Sequence, residues 1–214
     1  MEEESTVFIV DDEEPVTKAL ANAVQLMGLP SQTYSSAEAF LKSYDTTRPG
    51  CLVLDYKLPG KDGLELQEHL TAIGNLLPVI MISAHANVKV VVKAMKGGSV
   101  TFLEKPFSLH VLRQEIAGAI ELDAARRLEA AECRAAKAKI AALTGKEREV
   151  LRLVAAGNTN QAIANMLRLS IRAVEDRRGR MMKKLGAKGL SDVIAICRKA
   201  SMRLGGRGGQ DRRR

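Results

Sequence analysis

The chain is 214 residues long, enough for one or two domains, and its 46% hydrophobic and 27% charged residues lie in the globular range. Aromatic residues make up only 3% and tryptophan is absent, too few for a platform that stacks single-stranded nucleic acid, and no stretch nears the ~18 apolar residues of a membrane span. The formal charge of +8 is unevenly shared: residues 1–122 hold 10 Lys/Arg against 16 Asp/Glu, a net −6, and residues 123–214 hold 23 against 9, a net +14. An acidic front and a basic back imply two domains, the second facing a polyanion, although uneven surface charge on a soluble protein is the alternative. Met1-Glu2-Glu3-Glu4 is acidic where a secretory leader is basic, so the expected location is the cytoplasm. Cys51, Cys133 and Cys197 lack the paired spacing of a zinc site or disulfide framework and read as buried or incidental thiols.

Short apolar runs at residues 6–10, 31–34, 51–54, 78–82 and 101–103 alternate with stretches of helical spacing. This predicts an α/β, five-stranded parallel doubly wound (flavodoxin-like) domain over residues 4–122. The continuous apolar character of Val7-Phe8-Ile9-Val10 and Val79-Ile80-Met81-Ile82 fits strands covered on both faces. From Ser108 a helical pattern continues past Ile120 into residues 121–143, which contain neither Gly nor Pro, predicting a helical linker at 123–142. A charged, unstructured linker is the alternative, because the apolar stripe there is mostly Ala. Residues 143–204 read as an all-α unit of short helices, opening with Thr144 and Glu147 at capping-box spacing. Within it, helices at 159–167 and 171–185 flank the turn Arg168-Leu169-Ser170, a helix-turn-helix. Residues 205–214 are basic and lack apolar side chains, predicting disorder.

Asp11 and Asp12 follow the first run and Asp55 closes the third, so three carboxylates converge at the carboxyl end of the predicted sheet, where such folds hold ligands. Like charges in one crevice repel unless neutralised, and Mg²⁺ is the expected cation because it takes oxygen ligands and accepts phosphate oxygens. A carboxylate beside such a metal can attack a phosphoryl group. Ser83 after the fourth run, and Lys105, followed by Pro106, after the fifth, bring a hydroxyl and an ammonium to the same end to steady the transferred oxygens.

Val10-Asp11-Asp12-Glu13, Leu54-Asp55-Tyr56-Lys57-Leu58-Pro59-Gly60, Ile82-Ser83-Ala84-His85 and Phe102-Leu103-Glu104-Lys105-Pro106-Phe107 together resemble the receiver domain of two-component response regulators, with the FixJ-like group nearest. The resemblance implies that Asp55 accepts the phosphoryl group and that Asp11, Asp12, Asp55 and the Lys57 carbonyl surround Mg²⁺. It implies further that Ser83 and Lys105 contact the phosphoryl oxygens and that Ser83 and Phe102 move inward on activation; simple core packing is the alternative for Phe102. Ser83 stands where the family often has Thr, and Lys57 and His85 occupy places whose side chains influence dephosphorylation in similar proteins. Beyond Mg-dependent phosphoryl acceptance and self-dephosphorylation, no enzyme activity is expected. A small-molecule phosphatase using an aspartyl nucleophile would carry a second carboxylate two residues on, where this chain has Lys57.

In the basic unit, Ser170 can cap the second helix of the pair and Gly186 can end it. A helical projection puts Ile171, Val174, Met181 and Leu185 on one side and Arg172, Asp176, Arg180 and Lys183 on the other. Such a helix fits the DNA major groove, and a solvated basic face on an ordinary bundle is the alternative. Leu143-Thr144-Gly145-Lys146-Glu147-Arg148-Glu149-Val150-Leu151, Gly157-Asn158-Thr159-Asn160-Gln161-Ala162-Ile163-Ala164 and the stretch from Ala173-Val174-Glu175 to Lys183-Lys184-Leu185-Gly186 resemble a LuxR-type DNA-binding domain. By that resemblance Glu175, Asp176 and Gly179 occupy the base-reading region. The phosphate candidates are Lys146, Arg172, Arg177, Arg180, Lys183 and Lys184, with Arg178 placed near the apolar seam. A helix at 191–200 would contribute dimer contacts. The combined expectation is a response regulator of the NarL/FixJ type. Its partners would be a sensor histidine kinase, double-stranded promoter DNA and, when phosphorylated, a second copy of itself, with no membrane.

Overall fold

The computed structural model describes residues 4–84 and 87–201; His85 and the basic stretch 205–214 lie outside them. The described chain divides into two compact units, one ending at Arg127 and the other beginning at Leu128. No helix among the described residues is long and apolar enough to cross a membrane.

In the first unit, β1 (Thr6–Val10), β2 (Ser31–Tyr34), β3 (Gly50–Asp55), β4 (Val79–Ser83) and β5 (Thr101–Glu104) form one parallel sheet in the order β2-β1-β3-β4-β5. Helices α1 (Glu14–Gln25), α2 (Ala37–Ser43), α3 (Gly63–Ala72) and α4 (Val88–Gly97) connect them, and α5 (Leu109–Ala141) follows. Side chains alternate across a strand, so β1 and β3 supply both cores. Phe8, Val10, Leu52 and Leu54 enter one, with Phe40, Leu66 and Ala94 from helices. Val7, Ile9, Cys51 and Val53 enter the other, with Leu20, Val24, Leu112 and Ile116. The edge strands β2 and β5 are only partly buried, as their mixed sequences require.

Five strand ends differ by one residue from the apolar runs: both ends of β3, both ends of β4 and the carboxyl end of β5. Pro78 precedes β4, because proline has no N–H to give the ladder, and its carbonyl instead accepts from Leu52 N at 2.9 Å. Asp55 and Ser83 are the last residues of β3 and β4, held in the sheet by backbone hydrogen bonds although polar. Gly63 starts α3 hard against β3: a Cβ there would lie 2.4 Å from the Asp55 carbonyl oxygen, so glycine is needed to bring the loop this close.

The second unit packs α6 (Gly145–Ala155), α7 (Asn160–Leu167), α8 (Ile171–Leu185) and α9 (Leu190–Ser201) around Leu143, Val150, Val154, Ile163, Val174, Met181, Leu185 and Val193. Thr144 and Glu147 exchange capping-box hydrogen bonds at 3.3 and 2.7 Å, and Ser170 Oγ accepts from Ala173 N at 3.2 Å to cap α8. Each such cap contributes about 1 kcal/mol. Gly186 closes α8 in the left-handed conformation that glycine adopts without strain. Ile171 departs from the projected seam: as the first residue of α8 it lies before the turn that packs, and it is exposed.

Candidate functional site

The sheet register sets Val10 beside Leu54, and so brings Asp11, just past β1, level with Asp55 at the end of β3. Asp11 and Asp55 are both buried, and Lys105, just past β5, reaches between them: its Nζ donates to Asp11 Oδ2 and Asp55 Oδ1, each at 2.7 Å. Backbone amides complete the carboxylates, Glu13 N donating to Asp11 Oδ1 at 2.9 Å and Lys57 N to Asp55 Oδ2 at 2.6 Å. Burial raises the Asp55 carboxyl above the ordinary carboxylate range, against the opposing pull of Lys105. For Lys105 burial works against the charge, and the hydrogen bonds to Asp11 and Asp55 outweigh it, raising its pKa.

Ser83 is buried at the neighbouring strand end, and its carbonyl accepts from Lys105 N at 2.8 Å, tying the lysine's backbone to β4. Phe102 lies partly buried on β5 against the core shared with α2, α3 and α4. Asp12, by contrast, is exposed. Among the described residues no three His, Cys, Asp or Glu side chains gather closely enough to hold an ion; the two carboxylates brought together are Asp11 and Asp55.

On α8, Arg172, Glu175, Asp176, Gly179, Arg180 and Lys183 are exposed, as is Lys146 on α6, while Arg177 is half-buried. Two further basic side chains have work inside the unit. Arg178 Nη1 donates to Asn160 Oδ1 at 2.7 Å, bracing α8 against α7, and Lys184 Nζ donates to the buried Glu147 Oε2 at 2.7 Å, bracing α8 against α6. The angle of Arg178 near the seam pointed toward its brace. Nothing local marks Lys184, because its partner lies 37 residues away.

A parallel sheet with this carboxylate–lysine pocket, followed in the chain by a helix-turn-helix, is the domain pairing of a DNA-binding response regulator, and the comparisons agree. Residues 7–117 match the response regulator receiver domain and residues 141–197 match the bacterial regulatory proteins of the luxR family. The chain belongs to the response regulators of the NarL/FixJ type and is a DNA-binding regulator of transcription. It is 39% identical over 191 residues to the transcriptional regulatory protein FixJ of Rhizobium meliloti (strain 1021), spanning 89% of this chain and 94% of that protein. The response regulator StyR has a structure similar to it with a TM-score of 0.82 at 36% identity, covering 92% of this chain and 99% of StyR. Full-length FixJ from B. japonicum aligns at a TM-score of 0.56 and 30% identity, over 92% and 98% of the two chains. Receiver domains accept phosphoryl groups, and the pairing of domains implies a histidine kinase and DNA as partners.

Proposed function

We propose that Asp55 takes the phosphoryl group from a sensor histidine kinase in the cytoplasm, and that this modification drives pairing of two chains and occupation of promoter DNA by α8. The observation that carries the reading is the Lys105 ammonium held 2.7 Å from both buried carboxylates. It keeps Asp55 in place as a nucleophile and stands ready to transfer a hydrogen bond to a phosphoryl oxygen once Asp55 becomes an acyl phosphate. In that step an Asp55 carboxylate oxygen bonds to phosphorus while the bond from phosphorus to the donor's imidazole nitrogen breaks. Ser83, at the adjacent strand end, is the hydroxyl that steadies the transferred group, and Phe102, half-buried one strand over, follows it inward.

The donor set suits Mg²⁺: Asp11 and Asp55 offer only oxygens, already share one cation and leave a net negative charge, and the exposed Asp12 follows Asp11 directly in the chain. Asp11, Asp12, Asp55 and the Lys57 carbonyl would hold it, and its charge would offset that of the incoming phosphoryl group. Self-dephosphorylation would use the same pocket for a different step, in which a water oxygen bonds to phosphorus while the bond from phosphorus to the Asp55 oxygen breaks, releasing inorganic phosphate and restoring the carboxylate.

Residues 4–122 act as the receiver, whose packing takes in Asp123 and Arg127 as well; the rest of 123–142 acts as the connecting helix and 143–204 as the DNA-binding domain. Val88, Val92 and Met95 leave an apolar face of α4 exposed, which supports pairing of receivers through that side. Lys146, Arg172, Arg177, Arg180 and Lys183 supply phosphate contacts, Glu175, Asp176 and Gly179 face base edges, and Arg178 and Lys184 hold the helix that presents them. Incubation of the full chain with acetyl phosphate and Mg²⁺ adds one phosphoryl mass and strengthens promoter binding; Asp55→Asn does neither. A wild-type chain that is never modified overturns the reading. Equal DNA binding with and without the donor makes the receiver a phosphate-independent scaffold.

A further inference from the structure

Gly179 stands in the middle of α8, exposed, and a Cβ placed there meets no atom within 4 Å. Its backbone is not left-handed, so neither space nor conformation inside the protein asks for glycine, while a mid-helix glycine is less stable than alanine. At ~100° per residue, Arg172, Asp176, Gly179 and Lys183 fall within about 60° of one another, a narrow stripe. The stripe lies opposite the buried Val174, Met181 and Leu185. Basic side chains occupy its two ends, and the short acidic Asp176 and the bare Gly179 occupy its centre. The Asp176 carboxylate makes no ion pair or hydrogen bond among the described residues.

A carboxylate in the major groove is repelled by phosphates and can only accept hydrogen bonds. The donors there are cytosine N4 and adenine N6, and adenine sets the N7 acceptor beside its amino group, where it opposes a carboxylate. Cytosine offers the donor without that neighbour. We infer that the missing side chain at Gly179 lets the α8 backbone approach the groove closely enough for Asp176 to accept from a cytosine N4, so that these two residues set the base preference at one position of the target. This rests on the DNA-facing role of α8 proposed above and specifies it.

The test is selection from a randomised duplex pool with the full chain, treated with acetyl phosphate and Mg²⁺, as wild type, Asp176→Ala, Gly179→Ala and Gly118→Ala. Gly118, on α5, is also helical, exposed and uncrowded, and controls for helix propensity. Wild type enriches one cytosine that Asp176→Ala stops selecting while still binding DNA, a loss of roughly 5- to 100-fold in discrimination there. Gly179→Ala melts higher than wild type yet binds the selected duplex about tenfold or more weakly, the range of one lost base contact. Gly118→Ala melts higher with unchanged affinity. The inference is overturned if Asp176→Ala selects the same sequence, if adenine replaces cytosine at that position, or if Gly179→Ala binds as wild type does. A wild-type chain that retains no duplex overturns the DNA-facing role itself, and the inference with it.

Discussion

Glu147 is buried at the third position of α6, where it accepts the Thr144 backbone N–H at 2.7 Å and the Lys184 ammonium at 2.7 Å. The hydrogen bond from Lys184, followed by that from Thr144, holds its carboxyl at about 2 against an ordinary 4.5. A folded-state pKa below the unfolded one contributes stability above the unfolded value and loses it as pH falls through the folded value. The window therefore runs from about 4.5 down to about 2. Wild type should melt above Glu147→Gln at neutral pH, with the gap closing across that window; thermal melts of both chains at a series of pH values check it. A gap that stays constant down to pH 2 contradicts the assignment. At this scale sequence reading went half way: the Thr144/Glu147 spacing announced the capping box, but the third partner of the carboxylate is distant in the chain. Lys184 consequently reads as a free phosphate contact until the packing of α8 on α6 is seen.

Among the elements, α5 carries the clearest case of a polar residue placed by packing. Leu112, Ile116 and Ala119 form its buried stripe, and Asp123 falls at the next position of the same stripe, equally buried. Its carboxylate accepts from Gly50 N at 2.8 Å and from Arg127 Nε at 2.7 Å, and Arg127 in turn donates to the carbonyls of Thr47, at 2.7 Å, and Arg48. Position 50 needs glycine for a separate reason: at φ +145 a Cβ there would sit 1.8 Å from the Thr6 carbonyl oxygen on the neighbouring strand. The first unit extends along α5 to Arg127. Arg127→Met leaves a buried carboxylate without its cation, and should lower the stability of that unit by about 3 kcal/mol, within the cost of breaking a buried pair. Adding Asp123→Asn to it recovers much of the loss; urea midpoints of the single and double variants measure both. The composition of residues 121–141 announces a helix, since good helix formers run on there without Gly or Pro, but a charged pair four apart on a helix is usually a solvated one. Only the sheet packed beneath it shows that this one is buried.

For the molecule as a whole, the division of charge matters more than its total. The net −6 of residues 1–122 and +14 of residues 123–214 assign the polyanion to the second part of the chain. With Lys146, Arg172, Arg177, Arg180 and Lys183 as phosphate contacts, log affinity for DNA should fall against log salt with a slope of about −4.5 per chain, each contact contributing about −0.9. Replacing Arg180 with Ala should make that slope shallower by ~1 without altering which sequence is preferred, and binding isotherms over a salt series test this. A slope near zero would remove the basic face of α8 from the interface.

The apolar runs and the polar residues that close them already imply the sheet and the convergence of acidic, hydroxyl and ammonium groups at the carboxyl ends of its strands. Apolar runs of strand length alternating with helical ones admit few other folds, and parallel strands all deliver their carboxyl ends to the same side. The helix-turn-helix was legible for a similar reason, its caps and seam being local in the chain. Tertiary structure alone decided which charges are spent inside the protein. Lys105 bridges Asp11 and Asp55 across 94 and 50 residues, Lys184 meets Glu147 across 37, and Asp123 meets Gly50 across 73. Local periodicity carries no information about partners that far apart; they meet because burying the apolar faces fixes the backbone around them, and a buried charge must then find its counterpart.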